Sequence, residues 1–371
     1  MAKRIIVSVI SELTTDQRVI RISSTLQNMG FDVTVIARAL SDSLPLGNYP
    51  FKSKRIKCRF KKGVMAYAEF NFKLFWVLLF AKTDYLLSND LDTLSPNFLV
   101  SKLRNKFLFY DTHEYFTGVP ELTSSPFKHK IWRKLEDILL PRLKVIYTVN
   151  DSVKKKYESI YPTLHLKIVR NIPPKESVIP VNKPREWQGK IILLIQGIGI
   201  HPGRGGMELL LAMPFLPEQY RLVYIGGGLE WDSIELKRKE LQLEKRVEMR
   251  AKVAPEILKK YTPLADIGFT LDGLQDDNYL FNLPNKLFDY IHAGIPVIAT
   301  PIPEVKKIVE QYKIGICIEN LDPKEIAFAV EKLMGNKSQY DSYKNNTLKA
   351  SNELCWQNEQ KEIIEIYKSY L

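Results

Sequence analysis

Apolar, β-rich runs recur along this chain with segments of helical period between them, and that alternation constrains the fold more than any other feature. RIIVSVI, FDVTVIA, TDYLLSN, KFLFYDT and LKVIYTV lie in the first half; KIILLIQG, YRLVYIGGG, ADIGFTL, GIPVIAT and KIGICIE lie in the second. The runs are continuous rather than alternately polar and apolar, as in strands buried on both faces. Helices between such strands imply parallel sheets with right-handed crossovers. At 371 residues the chain is long enough for two such domains. The expectation is an α/β protein of two doubly wound, Rossmann-like domains facing a deep cleft at the C-terminal ends of their strands, where ligands of such sheets bind. The first domain is placed at residues 1–172 and the second at 190–355. Between them, prolines and charges crowd a linker over 173–189. In the last segment, 356–371, Trp356, Ile363, Ile364 and Tyr367 fall on one helical face, expected to pack back on the first domain.

Composition and missing motifs exclude several classes. The apolar start, Ile5 to Ile10, is cut by Glu12 and is too short for a signal-peptide core. The run from Phe72 to Lys82 falls short of the ~20 residues of a membrane-spanning helix. Cys58, Cys317 and Cys355 are widely spaced and form no C-x-x-C pair, which argues against a disulfide framework or zinc site and fits a reducing cytoplasm. Neither a G-x-G-x-x-G fingerprint after the first strand nor a Walker-type phosphate loop is present, against a nicotinamide dehydrogenase or a P-loop enzyme. Charge is uneven: residues 1–180 hold 29 Lys/Arg against 16 Asp/Glu, and residues 181–371 hold 25 against 26. The basic first half therefore suits an anionic partner.

The loops after the strands carry the candidate chemistry. Asp16 is placed to cap a solvated helix bearing Arg18 and Arg21. Asp90 and Asp92, in SNDLDTLSP, suit either sugar hydroxyls or the next helix N-terminus, and the helix is the expectation. YDTHEYF sets His113 between acids at a strand's end, where an imidazole can make a proton-dependent hydrogen bond to a ligand. In QGIGIHPGRGGMELL the glycines allow close backbone approach, and Arg204 opens a helix suited to an anion such as a diphosphate. Gly226 begins a second glycine turn. In LPNKLFDYIHAG a helix starting at Pro284 brings Lys286 into its first turn, with Asp289 about 60° further round the axis. Two cations for phosphates and one carboxylate for a diol fit one ligand class, a nucleoside diphosphate.

TTDQRVIRISSTLQNMGFDVTVIA, YDTHE, VNDSVKKKYESIYP, GRGGMELLLAM, LVYIGGG, YTPLADIGF and LPNKLFDYIHAGIPVIAT follow one another in an order that resembles glycosyltransferase family 4 of the GT-B fold, in the branch of bacterial polysaccharide glycosyltransferases with PNKLFEY. The resemblance implies a retaining glycosyltransferase that moves a sugar from a UDP- or GDP-sugar to a hydroxyl of a glycan or lipid-linked acceptor, with neither metal nor other cofactor. It implies catalytic roles for His113, Arg204 and Lys286, and donor contacts from Arg204, Asn285, Lys286, Leu287, Asp289 and Gly226. Where the family has two glutamates eight positions apart, this chain has Phe281 and Asp289. The basic stretch 51–81 then suits an anionic membrane surface, for a cytoplasmic protein peripheral on the inner face of the plasma membrane. A nucleic-acid partner is not expected. The rival readings are a degenerate, non-catalytic partner subunit and a sugar-nucleotide epimerase of the same fold.

Overall fold

The computed structural model describes residues 2–371 other than 41, 42, 44, 120, 121, 123, 124 and 274–279. The chain divides into two compact units, residues 1–171 with 356–371, and residues 172–355.

The first unit is built on a parallel sheet of seven strands in the order β3-β2-β1-β4-β5-β6-β7. These are β1 (Arg4–Ser8), β2 (Asp32–Ala39), β3 (Lys52–Lys57), β4 (Tyr85–Asn89), β5 (Phe107–Thr112), β6 (Val145–Thr148) and β7 (Lys167–Ile168). Beyond β1 the chain builds outward through β2 and β3, then returns to the other side of β1 with β4. That reversal is the switch point at which ligands of doubly wound sheets bind. The C-terminal helix Trp356–Tyr367 completes this unit's core, where Trp356, Ile363, Ile366 and Tyr367 join Phe31, Phe109 and Tyr147. Ile364, expected on the buried face, is 40% exposed. Its one-residue step from Ile363 rotates it about 100° away, and Ile366 takes the inward position.

The second unit repeats the plan with six parallel strands, ordered β10-β9-β8-β11-β12-β13. They are β8 (Ile191–Gly197), β9 (Tyr220–Gly226), β10 (Val247–Ala251), β11 (Ile267–Thr270), β12 (Val297–Ala299) and β13 (Gly315–Cys317). Here the switch point lies between β8 and β11, which pair through Leu193 and Leu194. Apolar clusters cover the sheet, with Leu193, Ile195 and Tyr224 in one and Leu194, Val223 and Val297 in another, as the alternation of neighbours along a strand requires.

Among the described residues three strands had no counterpart among the apolar runs, and one long helix is also largely polar. β3 is half-exposed and polar, β7 is two residues long, β10 is only partly buried, and the helix Lys337–Glu353 buries little beyond Thr347, Ala350 and Ser351. Among the described residues no helix is long and apolar enough to cross a membrane.

Candidate functional site

Helix Asn285–Ala293 carries four of the sequence-predicted residues, Asn285, Lys286, Leu287 and Asp289, and its placement is fixed from beneath. Tyr290 is fully buried, and its hydroxyl donates to the carbonyls of Leu194 on β8 and Phe269 on β11, 3.2 Å each. Gly268 makes room for the ring, since a Cβ there would lie 2.4 Å from it. Gly294, in the left-handed region at φ 73°, ends the helix, and the next amide returns to Tyr290 O at 3.1 Å. The helix start is thereby held at the switch-point end of the sheet.

Around that start the loops after β8, β9 and β11 pack backbone against backbone. A Cβ on Gly226 would sit 1.8 Å from Gly197 O, and Gly227 N–H donates to the same oxygen at 3.1 Å. A Cβ on Gly205, at φ 71°, would sit 2.2 Å from Leu271 Cβ. Gly273 N–H donates to Gly203 O at 2.7 Å. The glycines thus let the three loops close on one another, and they hold Arg204 over Gly199, where a Cβ would lie 2.8 Å from Nη1.

The charges brought together are Arg204, Lys286 and Asp272. Asp272 is completely buried, with Oδ1 3.7 Å from Arg204 Nε and Oδ2 accepting from Asn282 Nδ2 at 3.0 Å. Burial pulls the Lys286 ammonium below its ordinary pKa; Asp272 opposes that, and Arg204 adds to it. Asp289 is held separately: Gln196 Nε2 on β8 donates to its Oδ2 at 3.1 Å, and Gln196 Oε1 accepts from Thr262 at 2.8 Å. Asp289 also borders a pocket of 180 Å³ with Thr262, His292 and the prolines 173, 174 and 180. Asn285 is exposed at the helix start. Leu287 is a core residue whose N–H donates to Pro284 O at 3.1 Å. Asp272, Gln196 and Asn282 were invisible to sequence reasoning, because nothing local marks a carboxylate or amide that meets its partners only after folding.

His113 belongs to the first unit, also at the switch-point end of its sheet. Arg18 is not solvated: it is 3% exposed, and its Nε and Nη2 grip Asp111 at 2.9 and 2.6 Å while Nη1 donates to Val169 O at 2.6 Å. His113 lies between acids, Nδ1 3.1 Å from Asp90 and Nε2 3.3 Å from Asp111. Burial disfavours the imidazolium, but Asp90 and Asp111 outweigh burial and raise its pKa to about 10. It is therefore a cation at neutral pH.

Asp90 occupies the N-cap position of helix Leu91–Leu103, yet its side chain makes no capping bond. Its carboxylate accepts from His113 N–H instead, at 2.8 Å, and its backbone sits at φ 56°. Such strain persists where surrounding bonds over-determine it. Burial, then the nearby Asp90, push the Asp92 carboxyl well above the usual range. Asp16 does cap its helix, accepting from Val19 N–H at 3.1 Å. Among the described residues no group of three or more His, Cys, Asp or Glu has the arrangement to hold a metal ion.

Residues 200–350 match the family model described as glycosyl transferases group 1. No curated protein matches the sequence. Solved structures of similar architecture include sucrose-phosphate synthase from Thermosynechococcus elongatus (TM-score 0.80, 15% identity, 99% of each chain covered). HepE from Anabaena, in complex with UDP-glucose, is similar at TM-score 0.75 and 13% identity, again with 99% of each chain covered. A Listeria monocytogenes protein described as a UDP-N-acetylglucosamine 2-epimerase is similar at TM-score 0.68 and 12% identity, with 100% of this chain and 97% of that one covered. The architecture is that of the GT-B fold, and the stretch similar to glycosyl transferases group 1 contains Arg204, Asp272, Lys286 and Asp289.

Proposed function

We propose that this protein is a nucleotide-sugar-dependent glycosyltransferase of family 4, retaining and metal-independent, serving cell-surface polysaccharide synthesis. One observation carries the reading: Arg204 and Lys286 converge at the switch-point end of the second unit, around the buried carboxylate of Asp272, within the stretch that resembles glycosyl transferases group 1. Two cations there suit a diphosphate, and Asp289, held by Gln196, suits the paired hydroxyls of a ribose. The complexes of HepE with UDP and with UDP-glucose support a uridine nucleotide as the first donor to test.

In the reaction the bond from the anomeric carbon to the diphosphate oxygen breaks as the acceptor oxygen bonds to that carbon on the same face. The acceptor's proton passes to a diphosphate oxygen, and the nucleoside diphosphate leaves. Arg204 and Lys286 stabilise the negative charge that grows on the leaving group. His113, as a fixed imidazolium, is proposed to act on the donor sugar or on that same charge, and the first unit is assigned the glycan or lipid-linked acceptor.

A thermal-shift screen against UDP, GDP, ADP and their sugars tests the donor class, since a ligand bound only by the folded chain raises its apparent stability. No shift with any of them would remove the reading. Turnover lost on Lys286→Ala excludes a non-catalytic partner, and epimerised sugar nucleotide released without an acceptor would favour the epimerase.

An anionic membrane surface is the proposed second partner. Helix Val64–Phe80 turns Phe72, Trp76 and Phe80 outward, at 64, 44 and 76% exposure, beside the basic strand β3. Co-sedimentation with vesicles that did not depend on anionic lipid would remove this part.

A further inference from the structure

We propose that Asp272 is a positioning residue of the donor site, holding Arg204 in register and offsetting the repulsion between Arg204 and Lys286 ahead of the diphosphate. The inference rests on the donor-site reading above and adds a residue to it. Asp272 lies two positions beyond β11, at the switch point, and is wholly buried. Four contacts fix it to its surroundings. Its carbonyl accepts from Thr300 Oγ1 at 2.6 Å, its Oδ2 from Asn282 at 3.0 Å, the following amide donates to Gly203 O at 2.7 Å, and Leu271 before it fills the space a Gly205 side chain would take. The segments carrying Asp272 and Arg204 are therefore locked together through their backbones, which leaves the 3.7 Å approach of Oδ1 to Nε little freedom to change.

A buried carboxylate is costly without compensating charge. Among the described residues the charged groups acting on Lys286 are Asp272 and Arg204, the first favouring its ammonium and the second opposing it. A diphosphate needs both cations charged at once, and two cations side by side repel. Asp272 offsets that repulsion before the ligand arrives, so the site is assembled in advance rather than at the ligand's expense.

The test is UDP binding by calorimetry between neutral and alkaline pH, on the full chain and on Asp272→Asn, Asp272→Ser and Asp272→Glu. Wild-type affinity is expected to fall at alkaline pH as Lys286 loses its proton. In the Asn variant that fall comes at lower pH, weakening UDP about tenfold in the interval, and the donor KM rises while kcat changes less. Should Asn at this buried site prevent folding, Ser is the second neutral variant with the same expectation, and Glu returns the profile toward wild type. A profile lowered equally at every pH, with its alkaline fall unmoved, would mean that Asp272 only supports the fold and would overturn the proposal. Lys286→Ala separates the two levels. If it binds UDP as tightly as wild type, the donor-site reading itself fails; if it does not, an unmoved profile in the Asp272 variants removes the present inference alone.

Discussion

Both units place a knot of charge at the switch point of a parallel sheet, yet the two knots are built to opposite ends. In the first unit Arg18 and His113 face Asp111 and Asp90, and each cation is gripped by carboxylates at 2.6 to 3.3 Å. In the second, Arg204 and Lys286 are the cations brought to Asp272 among the described residues, Arg204 Nε stands 3.7 Å from its Oδ1, and Lys286 is held below its ordinary pKa. Carboxylates that grip each cation at hydrogen-bond distance hold it charged and fixed in place. Two cations that meet a buried acid at longer range leave charge to offer an anion, so under the proposed reading the same topological position holds a braced imidazolium in one sheet and a diphosphate site in the other.

Removing one partner of each knot is the strongest way to break that contrast. Arg18→Met leaves Asp111 buried without its bidentate partner and is expected to cost about 3–5 kcal/mol in chemical denaturation, while UDP affinity of the folded fraction stays at wild type. Equal stability would show that the first knot is no brace. The pH dependence of stability comes next. The folded chain keeps the His113 proton up to about pH 10, whereas the unfolded chain loses it near 6.5. The contribution of His113 is thus complete below 6.5 and lost as pH rises through 10, an effect of roughly 2–4 kcal/mol, which His113→Gln should flatten. Lys286→Ala should show the reverse pattern, a loss of about 2–3 kcal/mol in kcat/KM for the nucleotide sugar with no loss of melting temperature. The smallest expected change is in Asp289→Asn, roughly tenfold in donor KM, worth about 1.4 kcal/mol, with folding unaffected.

How much of this was legible depended on the range of the signal. Strands buried on both faces, such as β8 with its run of isoleucines and leucines, announce themselves locally. β3 does not, because an edge strand half in water carries the lysines that keep such edges from pairing with other chains. The helix Asn285–Ala293 was readable from Pro284, the Lys–Asp spacing and Gly294. Arg18 was read as solvated because its partner Asp111 stands 93 positions away, and only the sheet order brings β5 near the helix after β1. Asp272 eluded the sequence for the same reason: a carboxylate after a strand is commonplace, and its meaning comes from Arg204, Asn282 and Thr300 arriving from three other segments.

The last helix has a consequence for how the chain matures. Trp356, Ile363, Ile366 and Tyr367 fill the core formed by Phe31, Phe109 and Tyr147, while the whole second unit lies between these two parts of the sequence. During synthesis the second unit is complete first, as an uninterrupted stretch, although it is encoded second. The first unit must wait with an apolar seam open until residues 356–371 leave the ribosome. Residues 172–355 are accordingly the piece to express alone for nucleotide-binding studies. A chain stopped before Trp356 is expected to keep a sound second unit and to aggregate through the unfinished first.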